Sequence, residues 1–295
     1  MNKKVVLAGG TGFVGQFLAA QLRDSGYQVL IISRQPGHIQ WQDDKAIMEA
    51  LNNADMLINL AGKSVNCRYN DQNKAEIFSS RLQTTKILGE AILKCSNPPE
   101  LWINSSTGTI YRHAEDRAMT ESTGEIGGGF SVDVATQWEQ MFFSFNTPRT
   151  RQVALRMAIV LGKAGGVMGP FKNLVKFGLG GKQGNGRQKF SWIHIKDVLN
   201  IILFIKNNSQ LAGVVNCSSP NPVDNQKLMQ TLRESMNMKF GLPSPVWLLK
   251  MGAVLIKTET ELILKSRWVI PERLTAAGFQ FEYPDIKSAI TNLLK

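Results

Sequence analysis

The chain is poor in cysteine, has no long hydrophobic run, and lacks acidic residues where its basic residues are densest. Its three cysteines, Cys67, Cys95 and Cys217, are odd in number and scattered, without metal-ligand spacing. That excludes a disulfide framework and offers no metal site. Free thiols of this kind fit a reducing compartment, so a cytoplasmic location is expected. No stretch reaches the ~20 apolar residues of a membrane span. The longest candidates, LNIILFIK and VWLLKMGAVLI, are too short, and the second carries Lys250. Lys3 and Lys4 followed by VVLA mimic a signal peptide, but glycines interrupt the apolar run, so no membrane association is expected. Between Glu139 and Asp197 there is no acidic residue, while ten Lys and Arg run from Arg149 to Lys196, most of the net charge of +11. Such a segment attracts anions, whether a nucleotide, a phosphorylated molecule or nucleic acid; its plain alternative is a solvated basic face. It lacks the interleaved aromatics of single-strand platforms, which places nucleic acid last.

What is present begins at the N-terminus, in KKVVLAGGTGFVGQFLAAQLRDSGYQVLIISR. A β-branched run leads into Gly9, Gly10, Thr11, Gly12, Phe13, Val14 and Gly15, then an amphipathic stretch, then a second apolar run ending at Ser33 and Arg34. Gly9 suits the sharp strand-to-helix turn, Gly12 lets backbone approach a pyrophosphate, and Gly15 lets the helix pack closely on the strand. A glycine triplet alone is weak evidence; between a strand and a helix, with a second strand following, it is a dinucleotide site. A site for NAD would place Asp or Glu at the end of the second strand. Here the nearest acids are the distant Asp24 and Asp43. A guanidinium with a hydroxyl beside it suits the 2′-phosphate of NADP(H).

Along the chain, strand and helix patterns alternate. Strands are expected at 3–8, 28–33, 55–60, 101–105, 151–156 and 213–217, and helices at 13–24, 45–52, 71–95, 130–144, 197–206 and 225–236. Short apolar strands separated by helices predict an α/β fold, a doubly wound parallel sheet of the NAD(P)-binding Rossmann type. The glycine-rich, basic stretch 162–196 breaks the pattern and reads as an excursion over a binding cleft. After about residue 240 the chain reads as helices. The expected organisation is a Rossmann domain over 1–160, with a strand and helix returning at about 190–217. Residues 161–189 and 218–295 form a smaller, mainly helical substrate-side lobe.

These residues resemble the extended short-chain dehydrogenase/reductases, the NAD-dependent epimerase/dehydratase type. The resemblance rests on GGTGFVG, on NLAG (Asn59 to Gly62), on SSTGTIY (Ser105 to Tyr111) and on WIHIKD (Trp192 to Asp197). GLGGKQGNGRQ (178–188) and PERLTAAGFQFEYP (271–284) bring it closer to the epimerase-like branch described both as sugar-nucleotide epimerases and as SulA-like cell-division inhibitors. The last part, about 245–295, resembles that branch's own C-terminal domain. The resemblance implies that Leu60, Ala61 and Gly62 lie against the adenosine, that Val160 passes the nicotinamide, and that Glu76 and Arg81 sit on a helix running past the cofactor. It places Thr107 where a Ser or Thr hydrogen-bonds the substrate oxygen. Arg187, Lys189 and Trp192 fall in substrate-side segments. His194 and Asp197 match a motif in which the aspartate often caps the next helix. A homodimer through helices 71–95 and 130–144 is implied as well.

One departure matters more than these matches. Family catalysis uses a Tyr and a Lys at i and i+4 on one helix face, the Lys lowering the Tyr pKa while the phenol shuttles a proton. The tyrosines here are Tyr27, Tyr69, Tyr111 and Tyr283, and only Tyr283–Lys287 has the spacing, far along the chain beside Pro284. In the expected helix, Ser131 and Ala135 occupy the two positions if Glu139 is the anchor. Two classes of function stay open. One is an NADP(H)-dependent epimerase or oxidoreductase acting on a phosphorylated or nucleotide-linked small molecule, with Tyr111, His113 or His194 as substitute proton donor. The other is a catalytically weak or inactive NADP(H)-binding regulatory protein.

Overall fold

The computed structural model describes residues 3–247, 249 and 265–295. Six parallel strands form the main sheet: β1 (Lys4–Ala8), β2 (Gln28–Ile32), β3 (Met56–Asn59), β4 (Leu101–Thr107), β5 (Arg151–Met157) and β10 (Gly213–Cys217). Their spatial order is β10-β5-β4-β3-β1-β2. The strands are apolar on both faces because both are covered, as a parallel sheet requires. Alternation with period two sorts their side chains. Val5, Leu7, Met56, Ile58, Ile103 and Leu155 enter one core, with α1 (Phe13–Asp24) and α6 (Ile195–Asn207) against it. Val6, Ala8, Leu57, Trp102 and Ala154 enter the other, under α2 (Asp44–Leu51), α3 (Asp71–Lys94) and α4 (Phe130–Phe143). The order reverses between β1 and β3, so their carboxyl ends open a crevice at a topological switch point.

The stretch 162–196 is more structured than an excursion over a cleft. It follows β6 (Ile159–Gly162) and contains β7 (Gly165–Gly166), α5 (Met168–Lys176), β8 (Lys189–Phe190) and β9 (Trp192–His194). β6 pairs with β7 and β9, and β8 with β11 (Val223–Asp224). With α7 (Asn225–Ser235), α8 (Glu272–Ala276) and α9 (Ile286–Leu294) these build the remaining lobe. Its core joins Leu161, Met168, Val175, Leu228, Leu232 and Ile290. The part after 240 is not purely helical: Arg267 bridges Phe190 and Val269 bridges Met119. Most of VWLLKMGAVLI lies outside the described residues. No helix among the described residues is long and apolar enough to cross a membrane.

Candidate active site

At the turn after β1, Gly9 adopts φ +76°, and a Cβ there would sit 2.8 Å from Ala61 N and Leu60 C. A Cβ at Gly15 would lie 2.6 Å from Gly9 O and 2.7 Å from Gly10 Cα. Only hydrogen fits at either position. Gly12 differs: the one atom near its virtual Cβ is Gly9 O at 3.6 Å, so the space it leaves opens outward. Gly12 is also the N-cap of α1 and gives no side-chain cap, and the first turn holds no acid. The first-turn N–H groups therefore face the crevice without partners inside the helix, an anion site by construction. The Phe13 ring leaves the crevice and lies against Gly162, Gly165 and Gly166, where a Cβ would approach it to 2.5, 2.6 and 3.1 Å respectively. Those glycines seat an aromatic ring from the nucleotide loop.

Ser33 is buried at the end of β2, its Oγ accepting from Gln35 N at 3.0 Å, which leaves its hydroxyl proton to donate. Arg34 beside it is exposed and close enough to draw Glu76 below its ordinary pKa, although Lys63, which hydrogen-bonds and ion-pairs with Glu76, is the main cause. Across the switch point, the Leu60–Gly62 turn is held by a buried polar set. Asn59 Oδ1 accepts from Ala61 N at 3.0 Å, Asn59 Nδ2 donates to Asn104 Oδ1 at 2.6 Å, and Trp138 Nε1 donates to Thr85 Oγ1 at 2.9 Å. Arg81 lies over Gly62, its Nη1 donating to the carbonyls of Lys63 (3.1 Å) and Ile77 (3.0 Å), its guanidinium 5.2 Å from the Trp138 ring. Burial lowers its pKa to about 10.

Thr107 ends β4, and its Oγ1 accepts from Thr109 N at 3.1 Å. Behind it Ser106 Oγ donates to Glu139 Oε1 at 2.5 Å, and Arg156 grips the same carboxylate from Nε (2.8 Å) and Nη2 (2.7 Å). Glu139 thus anchors α4 to β4 and β5. One and two turns earlier on the same face stand Ala135, fully buried beside Tyr111 and Val269, and Ser131, whose buried Oγ has no hydrogen-bond partner.

The structure places three of the expected proton-donor or substrate residues in the interior. Tyr111 is buried, its hydroxyl donating to Asn216 Oδ1 at 2.9 Å with burial raising its pKa, so the phenol is committed to the interior. His194 is buried too. It caps α6, its Nδ1 accepting from Lys196 N at 3.2 Å, and its ring stacks on Tyr283 at 3.9 Å. Burial pushes its pKa down to about 4. The capping expected of Asp197 therefore falls to His194, while Asp197 accepts from Glu282 N (2.8 Å) and Tyr283 N (3.0 Å) and pins the C-terminal segment. Trp192 is fully buried in the lobe core and presents no surface to a ligand. His113 is exposed, its Nδ1 accepting from Ser266 N at 3.1 Å. Arg187 is exposed and 3.9 Å from Glu115 Oε2. Val160, half-buried on β6, pairs with Ile193. Tyr283 precedes α9, so it shares no helix face with Lys287.

Two residues escaped the sequence reading. Lys265 Nζ donates to Thr109 O and Arg267 Nε to Thr109 Oγ1, both at 3.1 Å. With Lys189, whose Nζ lies 4.9 Å over the Trp268 ring, they line a cleft of only about 10 Å³, room for about one water, together with Gln188, Phe190 and Asn225. Nothing local marks them, since their partner is more than 150 residues away in sequence.

Residues 5–128 match the model of the NAD dependent epimerase/dehydratase family, and residues 244–293 match a domain of unknown function, DUF1731. The human epimerase family protein SDR39U1 is 33% identical over 296 residues, covering 99% of each chain. An epimerase family protein of Staphylococcus aureus is 31% identical, also over 99% of each. Among solved structures, that of human SDR39U1 (isoform 2) with NADPH superimposes with a TM-score of 0.90 at 31% identity, covering 98% of both chains. A nucleoside-diphosphate sugar epimerase from Corynebacterium glutamicum gives 0.79 at 29% identity, covering all of this chain and 58% of that one.

Proposed function

The chain belongs to the NAD-dependent epimerase/dehydratase family, among SDR39U1-like members with a DUF1731 C-terminal domain, and from that premise we propose that it binds NADP(H) and acts on a small anionic molecule. The observation that carries the reading is the pairing of an uncapped, acid-free α1 N-terminus at Gly12 with the exposed Arg34 at the end of β2. The first receives the pyrophosphate through backbone N–H groups; the second meets a 2′-phosphate, with Ser33 as a further donor. When bound, the cofactor would supply hydride chemistry, and this chain's residues would orient it: Gly9 to Gly15 under the pyrophosphate, Leu60 to Gly62 along the adenosine, Val160 beside the nicotinamide. The NADPH of the SDR39U1 structure supports this choice.

Thr107 is the candidate group for the substrate oxygen. Lys265 and Arg267, which bond Thr109 two residues further on, and Lys189, which lines the same small cleft, add positive charge on the side where a phosphorylated or nucleotide-linked substrate would lie. With Tyr111 and His194 committed elsewhere, His113 is the candidate proton donor that keeps an accessible ring nitrogen. The regulatory alternative keeps one specific support, Ser131 and Ala135 in place of the usual Tyr and Lys. A cytoplasmic location accords with the free thiols. A dimer through α3 and α4 accords with exposed Leu93 and Phe143 near their ends.

Titration by intrinsic tryptophan fluorescence tests the cofactor assignment. A charge-assisted contact of ~1.5–3 kcal/mol predicts NADPH binding at least about tenfold tighter than NADH, and a comparable loss in Arg34→Ala. Equal affinities, or no loss in that variant, would sink it.

A further inference from the structure

We propose that residues 176–184 and 239–247 form a face that adsorbs to anionic lipid bilayers. Phe177, Phe240, Leu242 and Trp247 enter the headgroup–acyl boundary, between lysines that meet lipid phosphates. This face is separate from the cofactor crevice. Its first mark is a local excess of exposed apolar surface. Of the nine large hydrophobic side chains exposed among the described residues, five are Phe177, Phe240, Leu242, Val246 and Trp247. Phe177, Phe240 and Trp247 are 81%, 83% and 63% exposed. Phe177 is distant from the others in sequence, and the fold brings it to them. The chain after α5 runs alongside the chain after α7. Leu242 N donates to Gly178 O at 2.8 Å and Gly181 N to Leu242 O at 3.0 Å; Ser244 N donates to Lys182 O and Gly184 N to Ser244 O, both at 2.9 Å. A Cβ at Gly181 would lie 2.5 Å from Leu242 C, and one at Gly241 2.7 Å from Gly180 C. Backbone thus packs directly on backbone, and the large flanking side chains are left in solvent. A contiguous apolar patch of this kind marks an interaction surface.

Charge selects the occupant. Neither 168–184 nor 237–247 contains an acid, while together they carry Lys172, Lys176, Lys182 and Lys239. Glu234, the acid that precedes the second segment, accepts from Gln230 Nε2 at 2.7 Å on α7. A second copy of the chain is disfavoured, because the four lysines would face the same four across the contact. Aromatic side chains this exposed project from the surface rather than wall a groove. None of the five lines the cleft at Lys189 or the groove between the ends of α7 and α9. Projecting Phe, Leu and Trp set among lysines match an anionic bilayer, which takes apolar groups at its acyl boundary and lysines at its phosphates. Adsorption needs no spanning helix, so the expectation of no membrane association, drawn from span length and the N-terminus, does not bear on this face.

Flotation of the full chain with vesicles tests the proposal. At low salt, partitioning onto equal parts of phosphatidylcholine and phosphatidylglycerol should exceed that onto pure phosphatidylcholine at least about tenfold, and added salt should weaken it. Each lysine near an anionic surface is worth about fivefold, so Lys176→Gln with Lys239→Gln should weaken partitioning about tenfold or more. Phe240→Ser with Trp247→Ser should do the same at an unchanged melting temperature, because both side chains are exposed. Bound wild type should show a blue shift of tryptophan emission that Trp247→Phe removes. No partitioning onto the mixed vesicles, or partitioning unaffected by either pair of substitutions in folded protein, overturns the proposal. Binding of polyglutamate through the same residues without vesicle binding also overturns it, and would assign the face to an acidic protein.

Discussion

Replacing Glu139 by Gln isolates the charge that holds the floor of the site. Both partners of the Glu139–Arg156 pair have side chains about nine-tenths buried, at 10% and 9% exposure, and the contact is bidentate. The variant keeps the shape and one acceptor oxygen but leaves the Arg156 cation without a counter-charge in the interior. Removing one partner of such a pair costs about 3–5 kcal/mol. The Tyr111 ring, 4.9 Å from the guanidinium, remains as a weak cation–π partner, so about 3 kcal/mol is expected. Adding Arg156→Met removes the orphaned charge and should restore at least about 2 kcal/mol relative to the single variant, a coupling of the size that contacting residues show. Urea unfolding at pH 7, followed by the fluorescence of the six tryptophans, reads all four corners of the cycle. A loss below about 1 kcal/mol in Glu139→Gln, or simple additivity in the double variant, would refute the claim that the pair is mutually dependent.

The buried His194 makes stability depend on pH. Its folded pKa is depressed from 6.5 to about 4, so the unfolded chain takes up a proton first as pH falls. The contribution is fully present above about pH 6.5 and is lost on descending toward pH 4, by about 2–3 kcal/mol. His194→Asn, which keeps a helix-capping acceptor, should flatten the unfolding midpoint across that window; an unchanged profile would refute the assignment. Gly12→Ala and Gly15→Ala should part company. The first meets no protein atom closer than 3.6 Å and should lose NADPH affinity with an unchanged melting temperature. The second collides with backbone at 2.6 Å and should lose affinity and also about 1–3 kcal/mol of stability. Identical behaviour of the two would contradict the division of labour among the glycines.

The parts of the molecule that could be read from sequence are those encoded over short distances. The apolar run in KKVVLA, the glycine spacing after it and the amphipathic period of 13–24 are complete within some thirty residues, and β1, α1 and β2 form where that pattern places them. Helices 71–95 and 130–144 likewise appear within a residue of their expected ends as α3 and α4. The strands inside 162–196 are two to three residues long, too short for a period to show. Tyr111 looked available because its neighbours in sequence are a glycine-containing turn; its true neighbour, Asn216, is 105 positions away. His194 and Asp197 exchanged the expected role for the same reason, since the backbone that Asp197 binds lies in 282–283. Lys265 and Arg267 reach the Thr109 loop only through the tertiary fold.

The place of β10 in the sheet has a consequence for the growing chain. β5 is flanked by β4 on one side and by β10 on the other, and β10 is made about 60 residues later. At translation rates of about 5–20 residues per second, β5 spends several seconds as a bare sheet edge after its own synthesis. An open edge of this kind recruits other strands, including those of neighbouring nascent copies. Arg151 at the start of that edge places a positive charge on it during the exposed interval, before Leu211 O accepts from Arg151 and the edge is closed. Any fragment ending before residue 213 keeps the interval open permanently, so shortened versions of this protein should aggregate where the full chain stays monodisperse.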